Sequence, residues 1–167
     1  MTGWFARVGL PLSSAETAAI DELMRIVAPH APVAVTLLAS WQEAAAFVHA
    51  SERDSTWWDQ EEEERELLWT RAAEFRPESE LLLCVNEMSR GLDVEVRGAA
   101  AAAATAAGVA DTAIVGEASG MALLAAHQSA LAEMAGEKTD HRFVRKYALF
   151  KGGRWPLGYH SARFVIF

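Results

Sequence analysis

The sequence has little cysteine and no long hydrophobic run, and both shortages narrow the class of protein. A single cysteine, Cys84, excludes an internal disulfide and fits a reducing compartment. The longest uncharged stretch, residues 26–42, is interrupted by Pro29 and Pro32. The N-terminus lacks the basic segment and continuous apolar segment of a secretory signal. We therefore expect a soluble, cytoplasmic protein that does not enter a membrane.

Motifs for metal binding and nucleophilic catalysis are also missing. No two of the five histidines lie three or four residues apart, so metal ligands would have to come from distant segments. The chain has neither of the glycine motifs that bind nucleotide phosphates. Residues 116–120 place Ala118 where the G-x-S-x-G motif needs its serine. We therefore predict no metal site and no cofactor.

Positive charge is scarce except near the C-terminus. The net charge of −8 argues against nucleic-acid binding. Residues 51–100 contain 14 acidic residues and six arginines, whereas residues 138–167 contain seven basic residues and one aspartate. An acidic surface attracts a basic protein partner. Alternatively, the acidic and basic segments satisfy one another, within the chain or across a homodimer.

Length and apolar content predict one folded domain over residues 1–167. Ser13 and Ser40 each precede a glutamate by three residues, which is the capping-box signal for a helix start. Leu92–Arg97 alternates apolar and charged residues, which is typical of a half-buried strand. Gly91 is a natural helix end, and Pro77 is a natural helix start.

These signals together predict an α+β fold. We expect a small mixed or antiparallel sheet of about four to five strands, packed with several helices. The predicted strands cover residues 4–10, 33–38, 92–97, 143–150 and 162–167, with residues 112–115 either strand or helix. The predicted helices begin near residues 13, 40, 56, 77, 98 and 121.

Tryptophan is the residue in which the composition departs most from the average. Of six tryptophans, four lie between residues 41 and 69. Trp57 and Trp58 are adjacent on a predicted helix, about 100° apart, so they cannot easily both face the core. Glu61 and Glu62 follow them in a run of four glutamates that we expect to form a solvated face. Residues 51–66 are therefore predicted as the main contact with a macromolecular partner, for example a basic toxin or enzyme that this protein inhibits.

A second candidate site is the segment KGGRWPLGYHS, residues 151–161, which we predict as a long loop between two strands. Its side chains suited to recognition are Lys151, Arg154, Trp155 and Tyr159. Three interpretations remain open at this point. The loop closes the fold, or it forms part of a protein-binding surface, or it lines an enzyme pocket. In the third case, His160 or His141 is the general acid or base, and the basic residues hold an anionic small molecule.

Overall fold

The computed structural model describes residues 3–50 and 56–167, and it confirms an α+β fold. The helices are α1 (Ser14–Val27), α2 (Trp41–His49), α3 (Thr56–Ala73), α4 (Glu78–Ala106), α5 (Thr112–Met134) and α6 (Arg142–Lys151). The strands are β1 (Ala34–Leu37), β2 (Pro156–His160) and β3 (Arg163–Ile166). The first five residues of the predicted acidic contact, 51–55, lie outside the described residues.

The sheet is mixed and smaller than predicted. It has three strands in the order β1-β3-β2, with β1 parallel and β2 antiparallel to β3. The prediction of four to five strands is wrong because three of the expected strands are turns or helices. Residues 4–10 form turns, since Phe5 and Gly9 adopt left-handed φ angles of 56° and 72° that a strand does not allow.

The alternating segment at residues 92–97 is helical and lies in the interior of α4. Leu92 and Val96 are four residues apart, so a helix also places both on the core face, while Val94 is 79% exposed on the other side. Gly91 does not end a helix, and α4 continues through the alanine-rich segment. Residues 112–115 form the start of α5, where the Asp111 side chain accepts a hydrogen bond from the Ala113 backbone.

The C-terminal part of the chain also differs from prediction. Residues 143–150 form helix α6 rather than a strand. The predicted long loop is short, because β2 begins at Pro156 and pairs with β3 as a hairpin. Ser161 and Ala162 turn that hairpin with φ angles of 48° and 59°, as a type I′ turn requires. The strand expected at residues 162–167 is confirmed as β3.

Helix α5 is the centre of the helical part of the fold. It packs against α3, α4 and α6, while α1 packs on α6 and α3 reaches β2. The capping box at Ser13 is confirmed, and the Ser40 side chain accepts from the Glu43 backbone as predicted. Within the described residues, no helix is both long and apolar enough to cross a bilayer. Helix α3 has one side packed against α5 and β2, and its other side faces solvent.

Candidate functional site

Arg154, which the sequence suggested for ligand binding, is used inside the fold. Its side chain is 1% exposed and donates hydrogen bonds to the backbone oxygens of three N-terminal residues. These acceptors are Arg7 at 2.5 Å, Leu10 at 2.7 Å and Pro11 at 2.8 Å. Arg154 also pairs with Glu16 at 2.7 Å, and this contact holds the pKa of Glu16 far below its usual range. Arg154 therefore fastens the N-terminal turns to the core.

Trp155 and the glycines before it are also committed to contacts within the chain. Trp155 is fully buried, and its indole Nε1 donates to the Met121 sulfur at 3.2 Å. The backbone N–H groups of residues 152–154 donate to carbonyls of the last turn of α6, so they cap this helix. Lys151 remains exposed, with its ammonium 5.2 Å from the centre of the Tyr147 ring. These three backbone amides thus already have acceptors within the chain.

The two histidines suggested as acid or base lie on different elements and have different neighbours. His141 caps α6, accepting from the Phe143 backbone, and its Nε2 lies 3.1 Å from Glu64. His160 is at the end of β2, with its ring 6.3 Å from that of Phe47. Tyr159, also in β2, is half-buried beside an apolar cluster under the sheet.

A buried ion pair between α3 and α6 was missed by the sequence reasoning. The Lys146 ammonium lies 2.7 and 2.6 Å from the two carboxylate oxygens of Glu61 and 2.6 Å from Gln128 Oε1. Burial lowers the pKa of Lys146, and the Glu61 carboxylate opposes that shift. Glu61 is 2% exposed, so the prediction of a solvated face is wrong at this residue. The acidic segment and the basic segment therefore do meet within the chain.

The adjacent tryptophans face different environments, as their helical spacing predicts. Trp57 is 2% exposed and packs under the sheet, with its ring centre 6.1 Å from that of Phe164. The Arg142 guanidinium lies 5.1 Å from the Trp57 ring. Trp58 is only partly buried. Of the predicted contact residues, Trp57 and Glu61 thus belong to the interior, whereas Trp58 and Glu62 have accessible surface.

The solvent side of α3 combines carboxylates with large apolar side chains. Glu62, Glu63 and Glu66 are exposed there. On the same helix Leu67 is 62% exposed, and Phe75 just beyond its end is 69% exposed. We call the three glutamates the acidic face of α3. Large exposed apolar residues beside charge are a trait of interaction surfaces.

A groove runs between α3 and α4. Its mouth, about 540 Å³, is lined by Arg65, Glu66, Trp69, Thr70 and Leu82. A cavity of about 80 Å³ lies at its floor, lined by Arg65, Trp69, Val85, Leu124, His127, Gln128 and Leu131. We call the mouth and the cavity together the α3–α4 groove. Its floor belongs to α5, because α3 and α4 both pack on that helix.

Ser89 and His127 meet beside this groove, but the geometry does not activate the serine. Ser89 Oγ donates to the Val85 carbonyl at 2.7 Å, so its single proton is already engaged. The His127 Nε2 atom that contacts the same oxygen must then act as donor. Burial lowers the pKa of His127, which favours this neutral form. The pair therefore forms a hydrogen bond that links α4 to α5 and does not act as a nucleophile with its general base.

Known proteins supply no guide to this arrangement: no family model, curated protein or solved structure matches the chain. Among the described residues, no three His, Cys, Asp or Glu side chains come together as metal ligands do. Function is therefore inferred from the chemistry of the outer surface of α3 and α4.

Proposed function

We propose that this protein acts by binding a basic macromolecular partner, such as a toxin or an enzyme that it inhibits. The observation that carries the proposal is the mixed surface of α3, where the exposed Leu67 follows the acidic face and the exposed Phe75 lies just beyond the end of the helix. Exposed carboxylates steer a basic partner and raise the association rate, and apolar side chains then supply burial. The chain as a whole carries a net charge of −8, which adds to this steering.

Other observations define which residues make the contact. Glu61 and Trp57 are buried, so neither presents its side chain to a partner. The contact proposed here comprises Glu62, Glu63 and Glu66 with the neighbouring apolar side chains. This location retains the acidic stretch inferred from the sequence and shifts its centre toward the C-terminal half of α3.

The test is a charge reversal with a matched control. The variant Glu62→Lys/Glu63→Lys/Glu66→Lys changes three exposed residues of α3. A control triple, Asp21→Lys/Glu117→Lys/Asp140→Lys, changes the net charge equally at exposed positions elsewhere. Each tagged variant is expressed in its native host, and captured proteins are identified by native mass spectrometry. Both variants should keep the circular dichroism of the parent.

We expect the parent and the control to capture the same basic protein at fixed stoichiometry, and the α3 variant to lose it. Equal capture by both variants would refute the proposed surface. A captured small molecule in place of a protein would instead favour the alternative of a ligand-binding pocket near the C-terminal segment.

That alternative has less support in the geometry. A cavity of about 190 Å³ does adjoin the segment, and Arg154 lines it. However, the guanidinium already binds three carbonyl oxygens and a carboxylate. Loss of function in Arg154→Ala would therefore accompany loss of folding rather than loss of an anionic ligand alone.

A further inference from the structure

The α3–α4 groove has a shape in which one more helix could lie between α3 and α4. Helices α3 and α4 both pack on α5 and have few contacts with each other. The space between them is open at the mouth and is floored by apolar side chains of α5, including Leu124 and Leu131. An amphipathic helix placed in such a groove buries its apolar side against two walls and a floor.

The groove walls offer apolar contacts at defined positions. Leu82 on α4 is 49% exposed and lines the mouth, and Leu124 on α5 is 37% exposed at the floor. Trp69 on α3 lines both the mouth and the cavity below it. The cavity is small enough to suit one apolar side chain, which would act as an anchor with Trp69 as its wall.

The charges around the groove determine which kind of ligand helix it favours. Glu66 lines the mouth, and Glu62 lies one turn before it on α3. Residues 56–90, which form α3, the connection and the first half of α4, contain ten acidic residues and four arginines. Arg65 also lines the mouth and pairs with Glu62, and Arg71 pairs with Glu137, so Glu66 supplies the negative charge at the mouth and the surrounding segment supplies the rest. The surroundings therefore favour a ligand whose polar side is basic.

The most basic helix of this chain does not supply that ligand. Helix α6 buries Lys146 against Glu61 and leaves the Arg142 side chain only 12% exposed. Arg145 of the same helix pairs with Glu22 on α1. The basic helix must therefore come from another protein.

We propose that the α3–α4 groove binds a basic amphipathic helix of the partner, with one apolar side chain of that helix in the cavity beside Trp69. The inference rests on the proposed function and adds the secondary structure and the docking position of the partner segment. The carboxylates at the groove mouth attract the basic side of the helix, which faces out of the groove. The apolar walls contact its other side.

The experiment uses two synthetic peptides of leucine and lysine, each about 18 residues long so that a helix can form on binding. One places leucine at helical spacing on a single side, and the other has the same composition in scrambled order. Binding to the full chain is measured by fluorescence anisotropy. We expect the amphipathic peptide to bind at least about tenfold more tightly than the scrambled one.

Two adjacent leucines provide the matched variants. Leu82→Ser removes a groove contact, whereas Leu83→Ser alters a neighbour that is 57% exposed and does not line the groove. We expect Leu82→Ser to weaken the amphipathic peptide about tenfold and Leu83→Ser to change its affinity less than about twofold. Thermal unfolding of both variants controls for stability.

Three outcomes would overturn the inference. The first is equal binding of the two peptides, and the second is absence of binding by the amphipathic one. The third is self-association in sedimentation velocity that Leu82→Ser abolishes and Leu83→Ser does not, since a second copy would then occupy the groove. Each leaves the proposed function to be judged separately, because the charge-reversal experiment uses the native partner and the acidic face of α3.

Discussion

Arg154 illustrates why residue type alone does not separate a ligand-binding residue from a structural one. A guanidinium that can recognise an anionic ligand can equally bind the carbonyl oxygens of its own chain, and both uses favour the same residue. The two uses differ in burial, which depends on segments far away in sequence. Here the acceptors lie more than 140 residues before Arg154. Trp155 was misleading for the same reason, because an interface aromatic and a core aromatic look alike in sequence.

Replacing Arg154 should destabilise the fold strongly. Arg154→Met removes the donor to the carbonyl oxygens of Leu10 and Pro11 and leaves Glu16 without its buried partner. We expect a loss of about 3–5 kcal/mol in the free energy of unfolding, measured by urea denaturation. Lys151→Met, at an exposed residue nearby, should change it by less than about 0.5 kcal/mol. A loss in Arg154→Met no larger than in Lys151→Met would contradict the anchoring role.

His127 should make stability depend on pH in the mildly acidic range. Burial lowers its pKa below the ordinary value of 6.5, so the unfolded chain binds a proton before the folded chain does. The free energy of unfolding should therefore decrease as the pH falls below about 6.5 and level off once the folded imidazole is also protonated. The contribution of ionised Glu16 to the free energy of unfolding is lost only at more acidic pH, below its ordinary pKa of 4.5.

The variant His127→Gln isolates this contribution. It keeps a polar side chain beside Ser89 but does not titrate. Urea denaturation of parent and variant at pH 7.5 and at pH 5.5, roughly one unit on either side of the ordinary histidine value, gives the comparison. The parent should lose more stability between these values than the variant. Identical losses would assign the pH dependence to other groups.

At the scale of elements, local signals identified the first four helix starts and identified strands poorly. The helix starts expected near residues 98 and 121 are wrong, because both positions lie inside longer helices, α4 and α5. The capping box at Ser13 and the N-cap at Ser40 begin α1 and α2 where the sequence predicted, because a cap is a local hydrogen bond that sequence spacing determines. The strand expected at residues 92–97 failed because its apolar residues also satisfy helical spacing, and the adjoining alanines favour helix. The strand expected at residues 143–150 is wrong because the buried residues Phe143, Lys146 and Phe150 follow the three- and four-residue spacing of a helix.

Gly91 gives a direct test of the continuous helix α4. It lies in the helix interior, has an ordinary helical φ, and has no neighbour within 4 Å of the place where a Cβ would be. Gly91→Ala should therefore raise the free energy of unfolding by about 0.5–1 kcal/mol. If Gly91 ended a helix in the left-handed conformation, the same change would lower it.

The contrasting variant is Gly153→Ala. Its φ is 94°, and an added Cβ would lie 2.6 Å from the Gly3 carbonyl oxygen. We expect this change to destabilise the fold by at least about 1–3 kcal/mol in the same urea measurement. The opposite signs of the two alanine substitutions would separate a helix-interior glycine from one that a close backbone approach requires.

At the scale of the whole molecule, the acidic and basic segments are partly neutralised by one another. Lys146 of α6 meets Glu61 of α3 in the interior, and His141 meets Glu64 nearer the surface. The carboxylates left on the outside of α3 include Glu62, Glu63 and Glu66. Sequence composition showed the two charged segments, but it could not show which charges cancel inside the fold. The candidate site therefore became definable only at the level of the folded chain.

The internal pair should contribute far more to stability than its counterpart on the surface. Lys146→Met leaves the buried Glu61 carboxylate with Gln128 and with Arg142 at 3.8 Å, and we expect a loss of about 3–5 kcal/mol in the free energy of unfolding, measured by urea denaturation. Arg65→Met removes the exposed pair with Glu62 and should cost no more than about 1 kcal/mol. The double variant Glu61→Leu/Lys146→Met should recover part of the loss. Equal effects of Lys146→Met and Arg65→Met would contradict a structural role for the buried pair.

The parallel pairing of β1 with β3 has a consequence for the order of events during synthesis. Ala34–Leu37 leaves the ribosome long before Arg163–Ile166, the strand with which it pairs. The α4–α5 hairpin joins two helices that are neighbours in the chain and can form earlier. A nascent chain thus carries its helices first and an incomplete sheet until residues 163–166 emerge. During that interval Val35 and its neighbours lack their hydrogen-bonding strand, so this is when the chain is most exposed to aggregation and most dependent on chaperones.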